Sequence, residues 1–156
     1  MRPRQPLTAE QATIRAEELC AASERSSGEI RTKLYRWGIP RSDAERIVEH
    51  LVERRFVDDS RFAAAYVRDK LEFSGWGRLK ISAGLYAKGI DRSTISEALD
   101  AIDSERYAAV LDRLIARLRR DIPDADTYEG RTRIFRRAAS RGFEPSLIAA
   151  ALRAQS

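Results

Sequence analysis

The sequence LYRWGIPRS at residues 34–42 returns at residues 85–93 as LYAKGIDRS, with six of the nine positions identical. A third and weaker copy begins at Ala138 and contains GFEPS at residues 142–146. Repetition at a spacing of about 50 residues is typical of a supersecondary unit that occurs several times in one chain. The sequence therefore predicts three tandem copies of one structural unit.

Each copy predicts the end of one helix and the start of another. A glycine, Gly38, Gly89 or Gly142, follows a helical stretch and precedes a large apolar residue. Glycine readily adopts the left-handed conformation that closes a last helical turn, and the next residue can pack back onto that turn. Beyond the glycines, apolar residues recur with the 3.6-residue period of a helix, and no segment alternates long enough to predict a strand.

The helix starts are predicted from capping boxes, in which a side chain satisfies a free backbone N–H of the first turn. Four pairs fit this pattern: Thr8 with Gln11, Ser26 with Glu29, Ser42 with Glu45, and Asp126 with Glu129. Together with the glycine stops they predict helices at residues 9–24, 27–37, 42–54, 59–73, 77–88, 92–102, 104–121, 127–141 and 145–154.

These elements predict an all-α protein with a flexible leader at residues 1–8 and three-helix repeats at residues 9–56, 57–102 and 103–156. A unit of about 50 residues buries little apolar surface, so neighbouring units are expected to pack into an elongated, curved array. Such arrays bind partners along an extended face. We expect a monomer that works by binding a macromolecule.

The composition of the 156 residues, 43% hydrophobic and 34% charged, is typical of a globular protein. No apolar run reaches the roughly 20 residues of a membrane helix, and the leader lacks the apolar stretch of a signal peptide. A cytoplasmic location without a membrane partner is therefore expected. Cys20 is the only cysteine, which excludes an internal disulfide and a thiolate metal site. No catalytic group, metal site or cofactor is predicted.

Positive charge is concentrated in the last third of the chain. The whole sequence carries +5, and residues 105–156 contribute +4 of it, from 11 basic and 7 acidic residues. Arginine outnumbers lysine by 25 to 4, which suits bidentate contacts to phosphate or carboxylate groups, although coding bias gives the same ratio. This balance indicates weak attraction to acidic or phosphate-rich partners.

Two predicted helices of this last third present arginine faces. On the first, Arg113, Arg117 and Arg120 share one side with Arg106, away from the leucines. The next helix carries five more: Arg131, Arg133, Arg136, Arg137 and Arg141. A solvated face is the ordinary interpretation of such a run. The functional alternative is a surface for DNA phosphates or acidic protein groups, whose attraction weakens with salt.

Other conspicuous residues of the middle unit predict structure. Asp58 and Asp59 open a helix, where carboxylates satisfy free N–H groups, so capping is favoured over paired-carboxylate chemistry. Phe62, Tyr66 and Phe73 lie at helical spacing, which favours core packing over a stacking platform for bases.

Several motifs together suggest a family. They are FVDDSRFAAAYVR at residues 56–68, GWGR at residues 75–78, LYAKGI at residues 85–90 and, more weakly, RSSGEIRTKL at residues 25–34. The chain resembles the RecX family of recombinase regulators over about residues 14–152, and the three-repeat layout agrees with that family. It departs from the family pattern at Arg55, where glycine is usual, at Trp76, where a basic residue is typical, and at Gly84, where Glu or Gln is common.

The resemblance implies binding in the helical groove of the RecA filament and damping of ATP hydrolysis, filament growth and strand exchange. Under this hypothesis the chain is a non-enzymatic regulator. Its contacts to RecA or DNA would come from Arg61, Arg68, Arg78, Lys80, Arg113, Arg117, Arg120, Arg133, Arg136 and Arg137. The competing hypothesis is a stand-alone DNA-binding module, in which helix pairs resembling helix-turn-helix elements bind DNA directly.

Overall fold

The computed structural model describes residues 5–156, and every regular element in that range is helical, which confirms the all-α prediction. Residues 1–4 of the predicted leader lie outside the described residues. The helices are α1 (Ala9–Ala22), α2 (Ser27–Arg36), α3 (Arg41–Glu53), α4 (Asp59–Asp69), α5 (Arg78–Ala87), α6 (Arg92–Asp100), α7 (Ser104–Asp121), α8 (Tyr128–Ser140) and α9 (Pro145–Gln155). A π-helical segment, Lys70–Ser74, extends α4. Among these, no helix has the length and apolarity needed to cross a membrane.

The helices form three consecutive triplets, called here the first, second and third units: α1 to α3, α4 to α6, and α7 to α9. The boundaries predicted at residues 56 and 102 fall in the short non-helical segments between α3 and α4 and between α6 and α7. Two apolar cores hold the triplets. One belongs to the first unit alone, whereas the second and third units share the other. Within the shared core the rings of Tyr107 and Phe143 pack with centroids 5.4 Å apart.

The middle helix of each unit ends in the same way, as the sequence predicts. Its terminal glycine has a positive φ in all three copies, 80° at Gly38, 76° at Gly89 and 95° at Gly142. The backbone N–H of the following residue donates to the carbonyl five residues earlier, at 3.0, 3.2 and 3.4 Å. This closes the last turn and buries the following side chain, which is Ile39, Ile90 or Phe143.

Two of the four predicted capping boxes are confirmed, and two are wrong. Both hydrogen bonds of the box form at Thr8 and at Ser26. The box predicted at Ser42 is absent because α3 begins one residue earlier, after Pro40, which offers no side-chain acceptor. The box predicted at Asp126 is replaced by a cap at Thr127, whose hydroxyl accepts from the Gly130 N–H.

The first and second units meet where the start of α2 contacts the end of α5. The Ser26 hydroxyl donates to the Lys88 carbonyl at 2.6 Å. Gly28 lies so close to Gly89 that a Cβ at Gly28 would be 2.7 Å from the Gly89 Cα, well below an ordinary contact. The junction therefore requires glycine at this position.

The second and third units meet in an equivalent way, at the start of α5 and the end of α8. The Gly77 N–H donates to the Arg141 carbonyl at 2.8 Å, and the Leu79 N–H donates to the Gly142 carbonyl at 3.0 Å. In the repeat alignment these pairs correspond to Ser26 with Lys88 and to Gly28 with Gly89. The units therefore stack through one repeated contact.

Both outer ends of this stack are covered by the chain itself. Gly38 occupies the position of Gly89 and Gly142, but no unit precedes it among the described residues. Pro6 packs there instead, and a Cβ at Gly38 would lie 3.1 Å from the Pro6 Cβ. At the other end Gly130 corresponds to Gly77, and the turn at Asp124 and Ala125 packs against it. Each position that would accept a further unit is occupied.

The acidic pair at the start of α4 caps two different helices. Asp58 accepts from the Arg61 N–H at 3.0 Å, which is the predicted cap of its own helix. Asp59 instead accepts from the backbone N–H of Ser27 at 2.8 Å, and its other oxygen accepts from the Ser27 hydroxyl. It thereby caps α2 of the preceding unit and links the two units.

The core position predicted for Phe73 is wrong. Phe62 and Tyr66 pack against the shared core, but Phe73 is 86% exposed. The reason is the π segment, which bonds each N–H five residues back and so accommodates an extra residue in the turn. That extra residue rotates Phe73 away from the apolar stripe that the helical spacing predicted.

Candidate partner-binding surface

The arginine face predicted on α7 lies in solvent. This helix of 18 residues buries its apolar side against the shared core, including Leu111, Leu114 and Leu118. The opposite side exposes three arginines, and none of them forms an ion pair within residues 5–156. They are Arg113, Arg117 and Arg120.

The arginine face predicted on α8 is also exposed. Ile134 and Ala138 are buried, and the side chains of Arg133, Arg136 and Arg137 lie on the outer surface. No acidic side chain of the described part of the chain pairs with these three. The three arginines of α7 and these three of α8 are thus unpaired within the described residues, and each guanidinium group is able to bind a carboxylate or a phosphate through two parallel hydrogen bonds.

Two other arginines of α7 form ion pairs within the protein. Arg106 pairs with Glu72 of the second unit through two hydrogen bonds, one of them 2.7 Å long. This bond lowers the pKa of Glu72 and raises the pKa of Arg106. Arg119 pairs with Asp126 at 2.7 Å. Arg106 and Arg119 therefore form bonds within the protein, whereas the three arginines of α7 named above face solvent.

Two of the predicted contact residues lie at the junctions between units. Arg61 pairs with Glu24 of the first unit at 2.8 Å, and this hydrogen bond raises its pKa. Arg78 pairs with Glu144 of the third unit at 2.7 Å, and its guanidinium lies 3.8 Å from the centre of the Tyr107 ring. Both side chains therefore hold neighbouring units together.

The Arg78 contact belongs to a partly buried polar network. The Tyr107 hydroxyl donates to Glu144 and accepts from the Arg78 backbone N–H at 3.0 Å. Tyr107 is only 2% exposed, and its burial together with the Glu144 carboxylate raises its pKa well above the ordinary value for tyrosine. This network could not be predicted, because nothing in the sequence pairs Tyr107 with a glutamate 37 residues away.

The remaining two predicted contact residues lie on the second unit. Arg68 is exposed and lies 3.7 Å from Asp69, its neighbour in sequence. The Lys80 ammonium lies 4.4 Å from the centre of the Trp76 ring, and the Lys70 ammonium lies 4.6 Å from the same ring. Trp76 occupies a position where the family typically has a basic residue. Its ring lies close to the ammonium groups of both Lys70 and Lys80.

The other two departures from the family pattern have structural consequences. Arg55 follows α3 with a φ of 61°, in the left-handed conformation where the family usually has glycine. Gly84 lies against Tyr66, and a Cβ on residue 84 would overlap the Tyr66 hydroxyl. The glycine in the middle of α5 therefore makes room for the tyrosine.

Three equivalent helix triplets, stacked through one repeated junction, define the class of tandem helical-repeat proteins. The family models described as "RecX, first three-helix domain" and "RecX, second three-helix domain" match residues 12–51 and 58–99. The chain belongs to the RecX family, as the resemblance predicted.

Individual relatives and solved structures agree with that assignment. The "Regulatory protein RecX" of Xanthomonas axonopodis pv. citri (strain 306) is 35% identical over 139 residues, covering 89% of this chain and 84% of the relative. That of Mycobacterium sp. (strain JLS) is 33% identical over 148 residues, covering 92% and 80%. The crystal structure of RecX from Lactobacillus salivarius matches with a TM-score of 0.85 over 93% of this chain and 94% of that chain. At 21% identity it supports the fold alone.

Proposed function

We propose that this protein is a non-enzymatic regulator of the RecA recombinase that binds in the groove of the RecA–DNA filament. It mainly inhibits ATP hydrolysis, filament extension and strand exchange. Membership of a family whose relatives are named regulatory proteins supports this role. The observation that carries it is the exposure, without ion-pair partners in the described residues, of Arg113, Arg117 and Arg120 on α7 and of Arg133, Arg136 and Arg137 on α8.

The regulator acts by occlusion and bridging. Three stacked units offer an extended face for contacts to more than one protomer of a filament, and the arginines supply hydrogen bonds to acidic groups or phosphates. Arg68 and Lys80 extend these contacts onto the second unit. Arg61 and Arg78 act indirectly, because their bonds to Glu24 and Glu144 hold neighbouring units together.

The regulator works in the cytoplasm on DNA-bound recombinase, as a monomer and without a cofactor. Coverage of both ends of the stack supports the monomer, because the positions that would accept another unit are filled by Pro6 and by the turn at Asp124. The binding energy comes from surface contacts alone, so no bond is made or broken on the regulator.

The test is DNA-dependent ATP hydrolysis by the RecA of the same organism. The wild-type protein is expected to slow hydrolysis at amounts well below one per RecA. A triple variant of α8, R133A, R136A and R137A, is expected to need at least about tenfold more protein for the same inhibition, since each lost charge-assisted bond weakens binding. Hydrolysis that is unchanged at equimolar wild-type protein would contradict the proposal.

The matched control removes three exposed arginines from the first unit instead. The variant R41A, R46A and R54A changes the net charge by the same amount, but its residues lie on or next to α3. It is expected to inhibit like the wild type. Equal loss in both variants would mean that total charge, and not the surface of the third unit, governs binding.

The alternative function is that of a stand-alone DNA-binding module. The positive third unit favours it, because duplex DNA attracts basic surfaces through its phosphates. Titration of duplex DNA in the absence of recombinase distinguishes the two functions. Tight binding at physiological salt favours the module, whereas inhibition of RecA without such binding favours the regulator.

A further inference from the structure

A cleft of about 330 Å³ lies between the π segment of the second unit and α7 of the third. We call it the Phe73 cleft, after the aromatic residue on its wall. Its lining includes Glu72, Phe73, Ser74, Arg113, Arg117 and Arg141. The cleft therefore combines a largely exposed aromatic ring with three arginines.

The exposure of the Phe73 ring contributes nothing to the stability of the fold. At 86% exposure the ring forgoes nearly all the burial that stabilises a core aromatic, although Phe62 and Tyr66 of the same helix do pack inward. The π segment at the end of α4 is the local cause of this exposure. A ligand that covers the face of this exposed ring would recover part of the lost burial.

The charge of the cleft is positive and only partly balanced. Arg113 and Arg117 lie one turn apart on α7, and neither has an ion-pair partner in the part of the chain that the structure describes. Arg141 is held in place by a 3.0 Å bond from its Nη1 to the Ser74 carbonyl. The one acidic lining residue, Glu72, is bound by Arg106, which neutralises it.

We propose that the Phe73 cleft binds single-stranded DNA, with one base stacked on Phe73 and the adjoining phosphates at Arg113, Arg117 and Arg141. Aromatic rings beside a positive groove are the recurring device for single strands, since every base has a face that can stack. A duplex hides those faces between neighbouring base pairs. Binding at this cleft therefore differs from the insertion of a helix into a duplex groove, and it does not require recombinase.

The contribution of each group can be anticipated. Loss of one stacked base weakens binding by about tenfold or more, from the range of stacking contributions per base. Each phosphate contact adds to the salt dependence, with a slope of about 0.7 per contact for single strands. Removing Arg113 and Arg117 together is therefore expected to flatten the salt dependence as well as weaken binding.

The experiment is fluorescence anisotropy of labelled oligothymidine with the whole protein and no recombinase, at low and moderate salt. The wild type is expected to bind the single strand more tightly than a duplex of equal length. F73A is expected to bind about tenfold more weakly, whereas F73W retains binding because tryptophan also stacks. The double variant R113A and R117A is expected to lower both affinity and salt slope.

Two control variants separate the cleft from the general surface. Y128A removes another exposed aromatic, 80% accessible and outside the cleft, and R131A removes an exposed arginine of α8. Both are expected to bind oligothymidine nearly as the wild type does. All altered side chains lie on the surface, and circular dichroism verifies that each variant is folded.

Three results would overturn this proposal: F73A binding as tightly as the wild type, equal affinity for duplex and single strand, or equal losses in Y128A and F73A. A polyglutamate peptide serves as the competing probe. If F73A loses the peptide but keeps oligothymidine, the cleft accepts an acidic protein segment and the proposal is wrong. Inhibition of RecA is measured separately, so failure here leaves the proposed regulatory function standing.

Discussion

Replacing Arg55 by glycine is expected to stabilise the protein, because Arg55 ends α3 with a φ of 61°. A left-handed conformation costs a residue with a side chain about 1–2 kcal/mol, a cost that glycine avoids. Glycine in turn loses more conformational freedom on folding, which offsets roughly 0.5–1 kcal/mol of that gain. The net increase in the free energy of unfolding is therefore about 0.5–1 kcal/mol. Urea denaturation followed by circular dichroism measures it.

The neighbouring residue provides a matched control for this substitution. Arg54 is also exposed at the end of α3, but its φ is −82°, which suits any residue. R54G removes the same charge and adds the same freedom to the unfolded chain, so it is expected to destabilise. The reasoning is refuted if R55G is no more stable than the wild type, or if R54G gains as much, since backbone conformation would then not be the cause.

Two further substitutions test the packing of the second and third units. Y107F removes the buried hydroxyl that donates to Glu144, and it is expected to lower the free energy of unfolding by about 1.5–3 kcal/mol, the range for a hydrogen bond to a charged group. The control Y128F, at an exposed ring, is expected to change it little in the same urea titration. Alanine in place of Gly84 favours the helix by about 1 kcal/mol, yet its Cβ overlaps the Tyr66 hydroxyl, so G84A is expected to destabilise. The loss is expected to shrink in a Y66F background, and stabilisation by G84A in both backgrounds would contradict the proposed overlap.

Features that depend on neighbouring residues alone could be predicted from the sequence. The glycine stops at Gly38, Gly89 and Gly142 are confirmed, because a positive φ and the bond that follows it are local. Two of the four predicted capping boxes are wrong, because α3 begins directly after Pro40 and because Thr127, not Asp126, caps α8. The exposure of the arginine faces also followed from helical periodicity alone.

Features that depend on distant residues could not be predicted in this way. The junction bond from Ser26 to Lys88 spans 62 residues, and no sequence pattern links the two. The same is true of the bond between Arg78 and Glu144, so Arg78 gave no sign that it joins two units. Phe73 was misassigned because helical spacing assumes a regular turn, and the π segment that displaces it leaves no recognised sequence signal.

Because both ends of the stack are covered, no further repeat can stack on either of them. Pro6 and the turn at Asp124 occupy the two positions at which further copies of the repeat could be added. The described stack is thus closed at both ends, and its surface consists of three units. Adding a fourth repeat to the stack would first require removing one of these two end contacts.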